Sequence, residues 1–271
     1  MTRPARSGRF PVGLDLAQGA ATRQTSSTVL RPQRPLRQAA EDAVRTGTPS
    51  GLGLDSAAVR QRMVERLRAD GVNNDLVLRA FAAVERHRFV DSALANQAYE
   101  DTSLPIGLQQ TISKPSVVAR MLSLLFDSAH AREHGNLGRV LEIGTGCGYQ
   151  AALLAQLAQG VVSIERIKPL HDKARAHLDF MRHVDLQLLH GDGRLGHATR
   201  APYQSIVAAA GGDELPEAWL QQLALGGRLV APLHEASRGG QVLLVVDRRA
   251  EGLSRLWLDA VHFVPLKSGI E

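Results

Sequence analysis

From residue 139 onward the chain alternates short apolar runs with amphipathic stretches, and this alternation limits its fold more than any other feature. "RVLEIG" and "VVSIE" read as strands; "YQAALLAQLAQG" and "KPLHDKARAHLDFMRHV", which follow them, read as helices. "LQLLHGDG" and "QSIVAAAG" add two strands, and "PEAWLQQLALGG" groups Trp219, Leu220 and Leu223 on one helical face. Strands and helices joined by short connections predict a parallel sheet covered on both sides. "RLVAPL", "QVLLVVD" and "LDAVHFVPL" crowd together near the end, which predicts an antiparallel addition at one edge. The expected architecture is an α/β, Rossmann-like, doubly wound sheet over residues 139–271.

Ahead of the sheet, "DSAAVRQRMVERLRADG" spaces Val59, Met63 and Leu67 four apart. Asp55 or Ser56 is placed to cap its start and Gly71 its end. "DLVLRAFAAVERHRFV" predicts a second helix. Residues 55–138 are therefore read as an N-terminal helical piece joined to the sheet in one domain, 55–271. Residues 1–54 differ. They carry eight arginines against three acids, amid Pro, Ser, Thr and Gly, without sustained apolar period. Such a segment cannot bury enough apolar area to offset about 1–2 kcal/mol of ordering cost per residue. It is read as a mostly disordered extension with a short helix near residues 36–45; a transit peptide and an arm for anionic partners are the alternatives. It also accounts for the whole net charge of +5, since the remaining residues hold 24 basic and 24 acidic side chains. A nucleic-acid partner is not expected of such a body.

In "VLEIGTGCGYQ", Gly144, Gly146 and Gly148 alternate at the end of the first sheet strand, behind Glu142. In an open parallel sheet, ligands bind beyond the carboxyl ends of the strands. A dinucleotide fingerprint needs glycines at positions 1, 3 and 6. Position 6 counted from Gly144 is Tyr149, so no pyrophosphate cradle is encoded. The alternative is a tight turn with no ligand. Glu165 ends the next strand, where an acid can accept from both ribose hydroxyls; otherwise it is a solvated partner of Arg166 or Lys168. Asp192 and Gly193 lie in "GDGR" after the third strand. Asp192 is placed to accept from an adenine amino group, or else forms an Asx turn. Three such features at successive strand ends predict an adenosine without a diphosphate, S-adenosylmethionine.

The segment "LPIGLQQTISKPSVVARM" (104–121), followed in order by "VLEIGTGCGYQAALLA", "SIERI", "GDGR", "GGRLVAPL" and "FVPL", resembles the protein-L-isoaspartate O-methyltransferase family from about residue 56 onward. The resemblance implies methyl transfer from S-adenosylmethionine to the α-carboxylate of L-isoaspartyl residues in aged proteins and peptides, a repair reaction. The ester then collapses to a succinimide, and its hydrolysis returns some normal aspartate. The resemblance also implies a catalytic role for Ser113 in "QTIS", with Thr111 beside it. Ser113 is equally placed to cap a helix starting at Pro115, and the two roles are compatible. A same-fold methyltransferase with another acceptor, and a cofactor-binding protein without turnover, are the alternatives.

Several positions depart from the family pattern: Gln109, Gln204, Ala209, Gly211, Gly212 and His234. They are expected to cluster on the rim facing the acceptor. The single cysteine, Cys147, forms no intramolecular disulfide and is read as a small turn residue. No hydrolase elbow or histidine ligand pair occurs in the sequence, and no metal is implied. An apolar run long enough to span a membrane is also missing. A cytoplasmic monomer is expected.

Overall fold

The computed structural model describes residues 57–271. The readings made of residues 1–54, including the helix near residues 36–45, and of the cap at Asp55 or Ser56 fall outside the described residues.

Helix α1 (Ala57–Ala69) buries Met63 and Leu67 and gives way to Gly71 at φ 97°. Helix α2 (Asp75–Ala83) is capped by Asn74, whose side chain accepts from the Leu76 and Val77 N–H groups at 3.0 and 3.1 Å. The second helix predicted from sequence ends earlier than expected. Val84 is extended and a 3₁₀ turn, Arg86–Phe89, follows, carrying Arg86 and Phe89 into the interior. Strands β1 (Leu104–Gly107) and β2 (Gln110–Ile112) then form an antiparallel hairpin that the sequence reading did not anticipate. Helices α3 (Pro115–Phe126) and α4 (Ala129–His134) lead into the sheet.

The sheet comprises β3 (Arg139–Ile143), β4 (Gly160–Glu165), β5 (Leu186–His190), β6 (Tyr203–Ala208), β7 (Leu223–Glu235), β8 (Gly240–Arg249) and β9 (Gly252–Ala260). Helices α5 (Tyr149–Ala155), α6 (Lys168–His177) and α7 (Glu217–Gln222) connect the parallel strands. The strand order is β5-β4-β3-β6-β7-β8-β9. The first five strands in that order run parallel, and β8 and β9 add an antiparallel edge. The predicted fold class is therefore observed, with two shifts at its end. Leu223, expected at the end of a helix, starts β7 opposite Tyr203. The last strand is residues 252–260, not 258–266, because it closes a hairpin with β8 from Arg249↔Gly252. Residues beyond it turn back to bond Gly211 instead: Gly211 N–H donates to the Val264 carbonyl at 2.8 Å and Leu266 N–H to the Gly211 carbonyl at 2.7 Å.

Side chains alternate across each strand and feed two apolar cores. Val140, Val161, Val207 and Val230 join the N-terminal helices on one face. Leu141, Ile143, Ile164, Ile206 and Trp219 build the other. The chain winds outward from β3 to β5 and returns beside β3 as β6, and the helices that follow these two paired strands, α5 and α7, pack in the two different cores. That switch point is where the next features converge.

Candidate active site

A cavity of about 210 Å³ opens at the switch point. One side is lined by Gly144, Gly146, Glu165 and Gly193, with the apolar side chains of Ile143, Ile164, Ile167 and Leu170. Ala209 lies against Gly144, and Thr111 and Ser113 of the β1–β2 segment complete the lining. Six residues expected to act together, Thr111, Ser113, Gly144, Gly146, Glu165 and Gly193, drawn from four segments of chain, thus share one enclosure. Glu142, Gly148 and Asp192 do not line it.

The glycine turn has several causes. Gly144, Gly146 and Gly148 all have positive φ (89°, 56° and 93°), so backbone conformation alone demands glycine. What approaches each differs. A Cβ on Gly148 would lie 2.8 Å from Leu178 Cδ1, so that glycine lets α5 pack on the residues after α6. A Cβ on Gly146 would lie 3.3 Å from Ile106 Cδ1, so the β1–β2 hairpin closes over the turn there. A Cβ on Gly144 would meet nothing nearer than 3.6 Å. Gly144 lines the cavity beside Ala209, the residue a Cβ on it would touch at ordinary distance.

Glu165 is 5% exposed, so it is not a solvated partner of its neighbours. Its Oε2 accepts from Gly146 N–H and its Oε1 from Ile167 N–H, each at 2.9 Å. A carboxylate has about four lone-pair sites. Two hold the turn and two remain for hydroxyl donors, an acceptor set that fits a ribose.

Glu142 points elsewhere because strand alternation turns it to the face opposite Leu141 and Ile143. It is fully buried, and Ser163 Oγ donates to its Oε2 at 2.5 Å; Ser163 Oγ also lies 2.6 Å from Thr145 Oγ1. Its Oε1 and Gln150 Nε2 make no well-formed hydrogen bond among the described residues. Desolvation pushes the Glu142 carboxyl up to about 8, against the favourable Ser163 and Gln150 dipoles and with the Glu165 charge adding to the rise. Glu142 therefore stands behind the glycine turn, largely protonated near pH 7.

Asp192 makes the Asx turn that was its alternative reading: Oδ1 accepts from Arg194 N–H at 2.9 Å. Its Oδ2 accepts from Gly269 N–H at 2.6 Å. The same final segment bonds the loop after β4, with Lys168 N–H donating to Glu271 O and Glu271 N–H to Arg166 O, each at 2.7 Å. Arg166 Nη1 pairs with the Glu271 carboxylate at 2.6 Å. Gly193 packs so tightly that a Cβ would lie 2.5 Å from Ile143 Cγ2, and Trp219 Nε1 donates to its carbonyl at 2.8 Å.

On the other side, Ser113 does not cap α3. Asp101 does, accepting Ser116 N–H at 2.9 Å and Ser116 Oγ at 2.8 Å. The Ser113 hydroxyl has no hydrogen bond to the described residues and is free for a ligand. The hairpin tip is Leu108–Gln109, with φ 52° and 58°. Two-residue hairpins of this hand favour Asn-Gly, so two ordinary side chains here sit in a costly conformation. Lys173 Nζ donates to Ile106 O at 3.3 Å and ties the hairpin to α6. Cys147 is buried, and burial pushes its thiol pKa up, which suits a turn residue and not a nucleophile.

The departing positions do not form one cluster. Gln109 and Ala209 line the cavity. Gln204 lies at the opposite end of the sheet, where its Oε1 accepts from Arg139 N–H at 2.8 Å. Gly211 bonds Val264 and Leu266, while Gly212 donates its N–H to Pro232 O and accepts His234 N–H at its carbonyl; a Cβ on Gly211 would strike the Gln241 amide. Sequence reasoning missed Asp101, Ile106, Lys173 and the buried Arg86; Ile106 stands in the quoted 104–121 segment and the other three in no motif, and each acts through a contact distant along the chain.

The sequence pattern of the protein-L-isoaspartate(D-aspartate) O-methyltransferase family matches residues 58–271. The chain belongs to that family. A protein-L-isoaspartate O-methyltransferase of Methylibium petroleiphilum is 59% identical over 270 residues, covering 99% of this chain and 98% of its own. One of Leptothrix cholodnii is 55% identical over 276 residues, covering 99% and 96%. A solved protein-L-isoaspartate O-methyltransferase superposes with a TM-score of 0.68 at 27% identity, over 78% of this chain and 67% of its own. A Plasmodium falciparum structure of the same type, in complex with S-adenosyl-L-homocysteine, gives 0.65 at 22% identity, over 77% and 98%; at that identity it speaks for the fold. Within this methyltransferase family frame, the hairpin, the glycine turn and Glu165 are the parts of the chain that enclose the cavity.

Proposed function

We propose that this chain is a protein-L-isoaspartate O-methyltransferase that transfers a methyl group from S-adenosylmethionine to the α-carboxylate of L-isoaspartyl residues in damaged proteins. The observation that carries the reading is that Ser113 and Thr111 share one cavity with Gly144 and Glu165. The donor site fits on its own chemistry: side-chain-free backbone at Gly144, spare acceptor capacity on Glu165 and an apolar wall of Ile164 and Ile167. Gly144, Gly146, Glu165 and Gly193 would hold the donor. Glu142 and Asp192 act from behind, by supporting the turn and shaping the loop.

When bound, S-adenosylmethionine supplies an electrophilic methyl group on a positively charged sulfur. An α-carboxylate has a pKa of about 3.5 and arrives ionised near pH 7, so no residue of this chain has to act as base. The work left to the protein is alignment, which can be worth about 7–11 kcal/mol. Ser113 Oγ donates to one carboxylate oxygen and fixes which oxygen faces the donor side, with Thr111 on the same wall. The hairpin closing over Gly146 limits water at the reacting centre.

The reading extends to protein or peptide acceptors in preference to nucleic acid, since charge outside residues 1–54 balances. It takes the chain to act as a monomer in the cytoplasm; among the described residues no helix is long and apolar enough to cross a membrane. The deciding experiment is labelled methyl transfer to an isoaspartyl peptide beside its normal aspartyl twin. Base-labile label in the isoaspartyl form alone is expected. Donor binding with transfer to neither peptide would overturn the proposal in favour of another acceptor or no turnover.

A further inference from the structure

Arg86 is fully buried, yet it forms no ion pair among the described residues. Buried charges are ordinarily paired, because an unpaired one costs several kcal/mol. Asp101 is a carboxylate whose charge acts weakly on Arg86, and Asp101 spends both oxygens on Ser116. The guanidinium instead gathers backbone carbonyls from three places. Nε donates to Ala98 O at 2.7 Å, and Nη2 donates to Ser113 O at 2.7 Å and, more weakly, to Thr102 O at 3.5 Å. Its carbon lies 4.8 Å over the ring of Tyr149, the first residue of α5 after the glycine turn. Nη1 and the Tyr149 hydroxyl beside it are both buried without a well-formed hydrogen bond among the described residues. Burial pulls the Arg86 pKa below the usual arginine value, although arginine stays charged at any working pH.

The two sides of the cavity therefore meet on one cation. Ser113 belongs to the acceptor side, and Tyr149 is rooted in the turn on the donor side; both line the cavity, while Arg86 does not. The planar fork matters, because one flexible ammonium cannot serve three carbonyls and a ring face together. We propose that Arg86 is a positioning residue for methyl transfer, clamping the Ser113 carbonyl against Tyr149 so that the serine hydroxyl and the glycine turn keep a fixed separation. The inference rests on the function proposed above.

The test is a cycle of Arg86→Lys, Ser113→Ala and the double variant, with kcat, KM for the isoaspartyl peptide, donor dissociation constant and melting temperature measured for each. Arg86→Lys should lower kcat by about tenfold or more while donor affinity changes by less than about threefold. In the Ser113→Ala background the same change should cost less than about twofold in kcat, because the residue it positions is gone. Additive losses, or a parallel loss of donor affinity, would overturn the inference. If Arg86→Lys does not fold, Tyr149→Leu removes the other jaw of the clamp. It should show the same dependence on Ser113, and additivity there would equally sink the idea. Absence of transfer by the unaltered protein would instead refute the function, so the two failures are told apart.

Discussion

Replacing Glu142 with glutamine should make the protein relatively more stable as pH rises. Glu142 is fully buried, and its carboxyl moves from 4.5 to about 8 chiefly because burial disfavours the charge. The folded form therefore holds the proton more tightly than the unfolded chain. This contribution to stability is fully present below pH 4.5 and is lost as pH rises through about 8. At about 1.4 kcal/mol per pH unit the whole effect is about 5 kcal/mol, and about 2 kcal/mol of it falls between pH 6 and pH 8. Glutamine keeps an acceptor for Ser163 but binds no proton. Urea unfolding followed by tryptophan fluorescence at pH 6, 7 and 8 reads the difference directly. The stability of Glu142→Gln minus that of the unaltered protein should climb by about 2 kcal/mol across the window. Parallel curves would show that Glu142 is ionised in the folded state, and the account of the network with Ser163 and Thr145 would fall.

Four further outcomes are expected. Ser113→Ala should lower kcat about ten- to hundredfold with the donor dissociation constant unchanged, measured by calorimetry beside turnover. Glu165→Gln places an amide against one of the two backbone N–H groups it now accepts, so donor affinity should fall about 10–100-fold in the same titration. Gln109→Gly should raise stability by about 0.5–1 kcal/mol in urea, since glycine relieves the positive φ of 58° at a smaller cost in chain entropy. Removing residues 1–54 should leave turnover unchanged; a large loss in the peptide assay would show that the extension takes part.

The sheet was readable because its signals are local. Strands β3 to β6 are apolar-rich runs of five or six residues, and the turns that follow β3, β5 and β6 carry glycine. Glu165 was readable for the same reason, standing at a strand end one crossover after the glycines. Glu142 was misplaced because the motif gives its distance along the chain and not the face its side chain takes. A count of two from Leu141 and Ile143 would have turned it inward. The hairpin was missed because Leu108–Gln109 lacks the residues such turns favour. Arg86 was unreadable in "VERHRFV", where it resembles one more charge on a solvated helix; its burial depends on Ala98, Ser113 and Tyr149, which no local window contains.

Residues 269–271 stitch the loop after β4 to the loop after β5, through Arg166, Lys168 and Asp192. Two brims of the cavity are thereby sewn to one short thread, and loosening it at any point slackens both.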